Sequence, residues 1–433
     1  MKDGKFLYRT WSICPVCLKT LPAQRIRLGD EVYLKKSCSE HGPFESIIWK
    51  GLSEIEEWVG KADSPPVDDP KCPDSCGLCS DHLQRSCCVI LNVTDHCNLN
   101  CRFCFADSGC GSDEPIFSEL KESLIKLIEP GKTLVQLSGG EPTIRADLPQ
   151  IIKAAKNAGA KYIQLNSNGI RLGESIEYVK ELAEAGLSFV FMQFDATDDA
   201  VIEQLRGRPL LKIKKQAIEN CSALNIGVTL VPTIVRDINL DKVGAILQFA
   251  ISSVPKVRGV HFQPVTYIGR VPGTSDSNDH ITLDELMSEI QKQTDGMIKT
   301  VNLLPSSCDH PLCGFHGDFV VDLRNIIPLL MRGNTPVQSC CNPTTAEKNR
   351  EFVARRWQRP PVDEASSDSE NCDLHDMEHF LNRVKTHGFT ITAMAFQDAA
   401  NLDFSRLRNC SLHVYDKGKF VPFCAYYITG WKR

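Results

Sequence analysis

Cys97-Asn-Leu-Asn-Cys101-Arg-Phe-Cys104 sets three thiols at Cys-x3-Cys-x2-Cys spacing. An iron–sulfur cube has four irons, and an electron-carrying cluster normally gives each one a thiolate or a substitute. Three cysteines hold three irons and leave the fourth open to another ligand. The spacing therefore suggests a [4Fe-4S] cluster built to bind something. A structural zinc site with its fourth ligand elsewhere uses similar cysteine pairs and stays open on spacing alone.

Outward from this stretch, apolar strand-like runs recur at Val89–Val93, Thr133–Leu137, Tyr162–Leu165, Phe189–Phe194, Val228–Val231 and Gly259–Phe262. Helical patterns with apolar residues at i, i+3 and i+4 separate them, at Ile151–Asn157, Ser175–Ala185, Lys212–Leu224 and Leu240–Ala250. This alternation predicts an α/β fold, a partial (β/α)6 TIM-like barrel over residues 89–265. Chemistry in such barrels sits at the carboxyl ends of the strands. The cysteine triplet follows the first strand, and Ser138-Gly139-Gly140-Glu141-Pro142-Thr143 follows the second. Both motifs are thus expected on one rim.

The chain has 433 residues, 42% hydrophobic and 24% charged, with net charge −5. That is globular composition, with no basic run to suggest nucleic acid. No stretch is apolar enough for a membrane span, so no transmembrane segment is expected; peripheral membrane contact stays open. The first residues lack the apolar core of a signal peptide, and a cytoplasmic location is expected. There the twenty cysteines would remain reduced, so their clusters read as metal ligands rather than disulfides.

Those cysteines crowd the flanks of the barrel, and the extensions are expected to be metal-binding. Residues 1–60 read as short strands organised by Cys14-Pro-Val-Cys17 and Cys38-Ser-Glu-His41, which resemble a zinc ribbon or rubredoxin-like site for zinc or mononuclear iron. Residues 61–88 carry Cys72, Cys76, Cys79 and Cys87, four thiols expected to hold an auxiliary [4Fe-4S] cluster, with zinc as the alternative. Cys87 is preferred over Cys88 because residue 88 begins the first strand. In residues 266–433, where the pattern turns irregular, Cys308 and Cys313 with Cys410 and Cys424 would close a second auxiliary cluster. Helix is expected at Asp373–Lys385 and strand at Phe389–Phe396. Cys110, Cys221 and Cys372 receive no role, since a lone cysteine usually packs as a small hydrophobe.

The triplet and Gly139-Gly140-Glu141-Pro142, in this order, together resemble the radical S-adenosylmethionine (SAM) enzymes. The resemblance implies that the open iron binds SAM and that one electron cleaves it to a 5′-deoxyadenosyl radical, which abstracts hydrogen from an unreactive carbon. It implies a reducing donor such as ferredoxin or flavodoxin. Gly139, Gly140, Glu141 and Pro142 would line the pocket for the SAM ammonium, met by a carboxylate and carbonyls, with glycines letting the backbone come close. Asn166 and Asn168 read equally as SAM contacts or as a turn. Gln193 and Gln263 end strands and face cofactor or substrate; Asp195 does so too, or caps a helix.

Asp195-Ala-Thr-Asp-Asp, Leu205-Arg-Gly-Arg-Pro, Cys308-x-His-Pro-x-Cys-Gly and the terminal Pro-Phe-Cys424-Ala-Tyr narrow the resemblance. They are similar to a subgroup containing tetraether lipid synthase, a dihydropterin methyltransferase and bacterial relatives, some with selenocysteine. The resemblance puts radical C–C coupling or alkylation of a hydrophobic, lipid-like substrate first. Radical methylation of a pterin-like or other small molecule comes second. A non-catalytic iron–sulfur electron carrier comes third, and leaves the open-corner triplet beside Gly139–Pro142 unexplained. Cys340-Cys341 and the acidic stretch near Asp363–Glu370 have no counterpart role.

Overall fold

The computed structural model describes residues 4–63, 65–68, 70, 72–73, 77–109, 114–273, 279–322, 325–332, 357–359 and 377–430. Cys76, Cys110, Cys340, Cys341, Cys372 and the acidic stretch at 363–370 lie outside them.

Four strands open the chain: β1 (Lys5–Ile13), β2 (Thr20–Leu28), β3 (Glu31–Cys38) and β4 (Gly42–Trp49). They pair antiparallel in sequential order. These strands are eight or nine residues long, not the short pieces the cysteine spacing suggests. Alternation explains their one-sided packing: Val32, Leu34, Lys36 and Cys38 of β3 all turn inward.

The central body holds β5 (Cys88–Thr94), β6 (Leu134–Gly139), β7 (Tyr162–Ser167), β8 (Phe189–Gln193), β9 (Gly227–Val231), β10 (Thr233–Ile234) and β11 (Val257–Pro264). Six of them, β5-β6-β7-β8-β9-β11, run parallel in that spatial order, while the short β10 pairs only with β11. Helices cover the outside. The helix Leu148–Asn157 buries Leu148, Ile151, Ile152 and Ala155, a stripe at i, i+3, i+4 and i+7. The helix Ile176–Ala185 starts where Ser175 Oγ accepts the Tyr178 N–H and stops at Gly186 in the left-handed conformation.

Beyond residue 265 the chain is more regular than its sequence suggests. It adds β12 (Leu304–Pro305), β13 (Gly314–Asp322), β14 (Asn325–Pro328), β15 (Gly388–Met394), β16 (Leu412–Asp416) and β17 (Lys419–Pro422). A helix, Met377–Thr386, falls where one is expected. β15 runs parallel beside β11, and β13 lies antiparallel beside β15. At the other edge β16 runs parallel beside β5, and β17 folds back on it. The C-terminal chain thus extends both edges of the half-barrel into a mixed 13-stranded sheet.

No helix among the described residues is long and apolar enough to cross a membrane.

Candidate active site and metal centres

The loop leaving β5 carries Cys97, Cys101 and Cys104 over the carboxyl ends of the parallel strands. There they line one cavity with Gly139, Gly140 and Glu141 beyond β6, Asn166 and Asn168 at the end of β7, and Gln193 of β8. The loop is tied down on two sides. Arg270 and Cys104 exchange backbone hydrogen bonds at 3.0 and 2.9 Å, and Arg270 Nε donates to the Cys101 carbonyl at 2.9 Å. From the other side the Leu205 carbonyl accepts the Arg102 N–H at 2.9 Å.

Thiol spacing separates the two metal chemistries. Among the described residues, one set of three or more His, Cys, Asp or Glu side chains brings all its ligand atoms within 4.8 Å of one another: Cys14, Cys17, Cys38 and His41. That suits a single tetrahedral ion, whose ligand atoms stand close together. The triplet on the barrel rim is more widely spread, which fits a four-iron cube whose thiolates grip separate corners. Burial pushes the Cys97 thiol up to about 11, so a bound cation would have to displace its proton.

Two glycines bring the β6 end against the cluster loop. A Cβ on Gly139, which has φ +119°, would lie 2.1 Å from the Thr94 carbonyl oxygen, and one on Gly140 would lie 2.0 Å from that of His96. Glu141 has a structural role beside the one expected of it. Its Oε1 accepts from the Thr143 N–H at 3.2 Å, the Thr143 hydroxyl at 2.6 Å and the Ser167 hydroxyl at 2.8 Å, while Oε2 accepts the Asn168 N–H at 2.6 Å. A carboxylate has about two acceptor sites on each oxygen, so Oε1 is fully engaged while Oε2 has room for one more donor. Glu141 thus clamps the end of β6 to that of β7 and also lines the cavity. Pro142 opens the 3-10 turn Pro142–Ile144 behind it, in which Pro142 and Thr143 are buried.

The amides divide their work. Asn166 faces the cavity, donating to Ser138 Oγ at 3.3 Å and accepting from Gln164 at 2.6 Å. Asn168 serves the turn: its Oδ1 accepts the Ile170 N–H at 3.0 Å, and its Nδ2 reaches Asn98 Oδ1 at 2.7 Å. Gln193, with its amide oxygen turned inward, accepts from Arg206 Nε and Nη1 at 3.1 Å. Asp195 neither caps a helix nor meets the cavity. It is fully buried against Arg206 and accepts the Thr233 N–H at 3.0 Å. Asp198 caps the helix Asp199–Arg206 instead, accepting the Val201 N–H at 3.1 Å.

In the N-terminal sheet, His41 Nδ1 stands 3.6 Å from Cys14 Sγ and 3.5 Å from Cys38 Sγ, with Cys17 and Cys38 Sγ 4.0 Å apart. Both knuckles lie at the same end of the sheet, in the β1–β2 and β3–β4 turns. Cys38→Ser is expected to remove about one tightly held metal per chain, measurable by elemental analysis. Because structural metal binding is coupled to folding, the melting temperature should fall with it.

The flanking thiols make contacts across the two extensions that their spacing did not suggest. The Cys87 thiol contacts both Cys88, at the start of β5, and Cys308. All three line the central cavity. Cys410 lies near Cys88, Cys313 and Cys424; Cys313 Sγ accepts from Arg406 Nε at 3.4 Å and Cys424 Sγ from the Gln397 N–H at 3.3 Å. Thus Cys87, expected to complete the set with Cys72, Cys76 and Cys79, touches a C-terminal thiol, while Cys76 lies outside the described residues. Cys221 is buried, with its thiol pushed up to about 12 by desolvation, as an inert packing residue would be.

Sequence reading missed the lumen beneath the rim. Gln136 of β6 and His261 of β11 line it with Phe191 and Trp357, whose rings meet at 4.6 Å and 73°, and the His261 ring lies 5.5 Å from that of Phe191. His261 is pushed down to about 4 by burial and shares a hydrogen bond with Thr392 Oγ1 at 2.8 Å, so it is neutral near pH 7. The available signal was His261 and Gln263 at alternate positions of an otherwise apolar strand.

Comparison with known proteins places the whole chain. The radical SAM superfamily profile matches residues 91–250, and that of the HMPTM N-terminal zinc ribbon domain matches residues 6–50. The chain is 32% identical to the 7,8-dihydro-6-hydroxymethylpterin dimethyltransferase of Methanocaldococcus jannaschii, across 96% of this chain and 93% of that one. Similarity to a probable GTP 3′,8-cyclase of Methanococcus vannielii is 27% over 54% of this chain and 76% of the relative. For the Fe-coproporphyrin III synthase of Methanosarcina barkeri it is 30% over 46% and 48%. The open-corner triplet, the glycine-lined rim and this near full-length identity show that the chain belongs to the radical SAM superfamily, whose cofactors are a [4Fe-4S] cluster and SAM.

Proposed function

We propose that this chain is a radical SAM methyltransferase acting on a flat, nitrogen-rich ring of the reduced-pterin type. The lumen carries this reading. Gln136, Asn166, Gln193, Gln263 and neutral His261 offer donors and acceptors there, while Phe191 and Trp357 offer ring faces. Such a lining fits a heteroaromatic with polar edges. An alkyl chain would displace water from these polar groups and offer no partner in return, at about 1–3 kcal/mol for each donor or acceptor left unmet. The near full-length similarity to a pterin dimethyltransferase points the same way. Methylation, placed second by the sequence, therefore moves ahead of lipid coupling.

In this reading Cys97, Cys101 and Cys104 hold the cluster, and the Gly139–Gly140 backbone receives the SAM ammonium. Asn166 and Gln193 orient SAM. When bound, the cluster and SAM would supply one-electron cleavage and a radical able to take hydrogen from carbon; because that cleavage leaves the methyl on methionine, a second SAM or another one-carbon donor would supply the methyl transferred. Cys14, Cys17, Cys38 and His41 hold zinc or a single iron. Cys87, Cys88, Cys308 and Cys410, with Cys313 and Cys424 beside them, supply thiols for auxiliary iron–sulfur chemistry, fed by a low-potential donor.

The test is anaerobic incubation of the reconstituted chain with SAM, a strong reductant and 7,8-dihydro-6-hydroxymethylpterin, followed by mass spectrometry. Pterin products heavier by one or two methyl groups are expected. SAM cleavage with the pterin untouched, joined to coupling of added lipid chains, would restore the lipid reading.

A further inference from the structure

Two sequence motifs, Asp195-Ala-Thr-Asp-Asp and Leu205-Arg-Gly-Arg-Pro, remain without a function after the site is assigned. The fold brings them together beneath the cluster loop. Arg206 is 3% exposed and Asp195 fully buried, and they meet side-on: Nε to Oδ2 at 2.8 Å and Nη2 to Oδ1 at 2.5 Å. The far edge of the guanidinium is not spent on this pair. Nη1 donates to the Phe103 carbonyl at 3.4 Å and Nη2 to Thr233 Oγ1 at 2.9 Å. The guanidinium also reaches the Cys101 thiol, and both residues line the cavity. The preceding residue contributes as well, since the Leu205 carbonyl accepts the Arg102 N–H.

A buried cation beside a ligand sulfur favours the more negative, reduced form of a cluster. Hydrogen bonds to the sulfurs and local charge are among the terms that set cluster potentials. Arginine suits the task because its planar fork takes direction from a carboxylate on one edge while donating from another. We propose that Arg206, aimed by Asp195, is a positioning residue that fixes the Cys101–Cys104 loop and raises the potential at which its cluster accepts an electron.

This rests on the triplet holding the family's cluster, and iron analysis of every variant separates the two claims. The experiment uses the full, reconstituted chain and an EPR-monitored redox titration of Arg206→Gln and Arg206→Lys. At the wild-type midpoint, Arg206→Gln should lower the reduced-to-oxidised ratio about tenfold, equivalent to ~59 mV for one electron. Arg206→Lys, which keeps the charge but loses the fork, should lower it by less. The yield of 5′-deoxyadenosine should fall with a weak reductant and recover with a stronger one. Wild-type iron content with an unchanged potential in Arg206→Gln overturns the proposal. If Arg206→Gln loses the cluster, Arg206→Lys decides: a lowered potential supports the proposal and an unchanged one overturns it. Iron loss from both variants makes Arg206 a folding residue only, which also overturns it.

Discussion

Arg25→Met should destabilise the folded chain by about 3–5 kcal/mol, the range for breaking a buried ion pair by removing one partner. Arg25, 2% exposed in β2, donates to Asp403 at 2.8 Å and to Asp63 at 2.7 Å. Those carboxylates have other partners. Asp63 accepts from Ser405 Oγ at 2.8 Å and pairs with His310 Nε2 at 2.9 Å, while Asp403 accepts from Thr10 Oγ1 at 2.7 Å. Removing the guanidinium would leave two buried anions short of their cation. The network ties the N-terminal sheet to the segment leading to Cys410 and, through His310, to the turn that follows Cys308. The variant should therefore also lose iron at the C-terminal thiols while the rim triplet keeps its own.

The pH dependence follows. Burial alone would push Asp63 up, but its bonds to His310 and Arg25 hold it well below the usual carboxylate range. A carboxyl depressed in the folded state stabilises above its unfolded pKa, and that contribution fades as pH falls toward the folded value. Wild type should thus lose stability below about pH 4, and Arg25→Met less steeply. Urea titration measures both effects. A loss under about 1 kcal/mol, the value of a surface pair, would contradict the account.

Glu141→Gln is the second large effect, and it distinguishes a clamp from a direct SAM ligand. An amide has one oxygen where the carboxylate has two. At least one of the four donors, from Thr143, Ser167 and Asn168, would then face an NH2 group. An unsatisfied buried donor costs about 1–3 kcal/mol, so thermal stability should fall even without SAM. As the ends of β6 and β7 loosen, SAM affinity should weaken about tenfold, or ~1.4 kcal/mol. Weakened SAM binding at unchanged SAM-free stability would instead return Glu141 to the ammonium.

How much of this was legible in the sequence depends on distance along the chain. The triplet, the Gly139–Gly140 turn and the Cys14–His41 knuckles are local patterns, and the structure gathers each where strand order puts it. The clamp at Glu141 was hidden because its donors arrive from both sides of the next βα unit. Cys87 was grouped with its neighbours in sequence, whereas its contact with Cys308 requires the C-terminal chain to return beside β5. That return was unreadable: β15 and β16 join the edges of a sheet whose strand–helix repeat in sequence ends by residue 265. Sequence put Asp195 at a strand end but could not show that Arg206 claims it. The lumen escaped notice because one polar residue per strand barely disturbs an apolar run, and only closing the strands around a shared axis gathers Gln136, Asn166, Gln193 and His261.

Anaerobic reconstitution of the full chain with iron and sulfide, followed by assay of 5′-deoxyadenosine with SAM and a strong reductant, tests the central claim most directly. Wild type should release 5′-deoxyadenosine. Cys101→Ala should release none while its N-terminal site, read by metal content, remains filled. A fully reconstituted wild type that releases none, or a Cys101→Ala variant that releases as much as wild type, would contradict the assignment of the Cys97–Cys104 triplet as the catalytic centre.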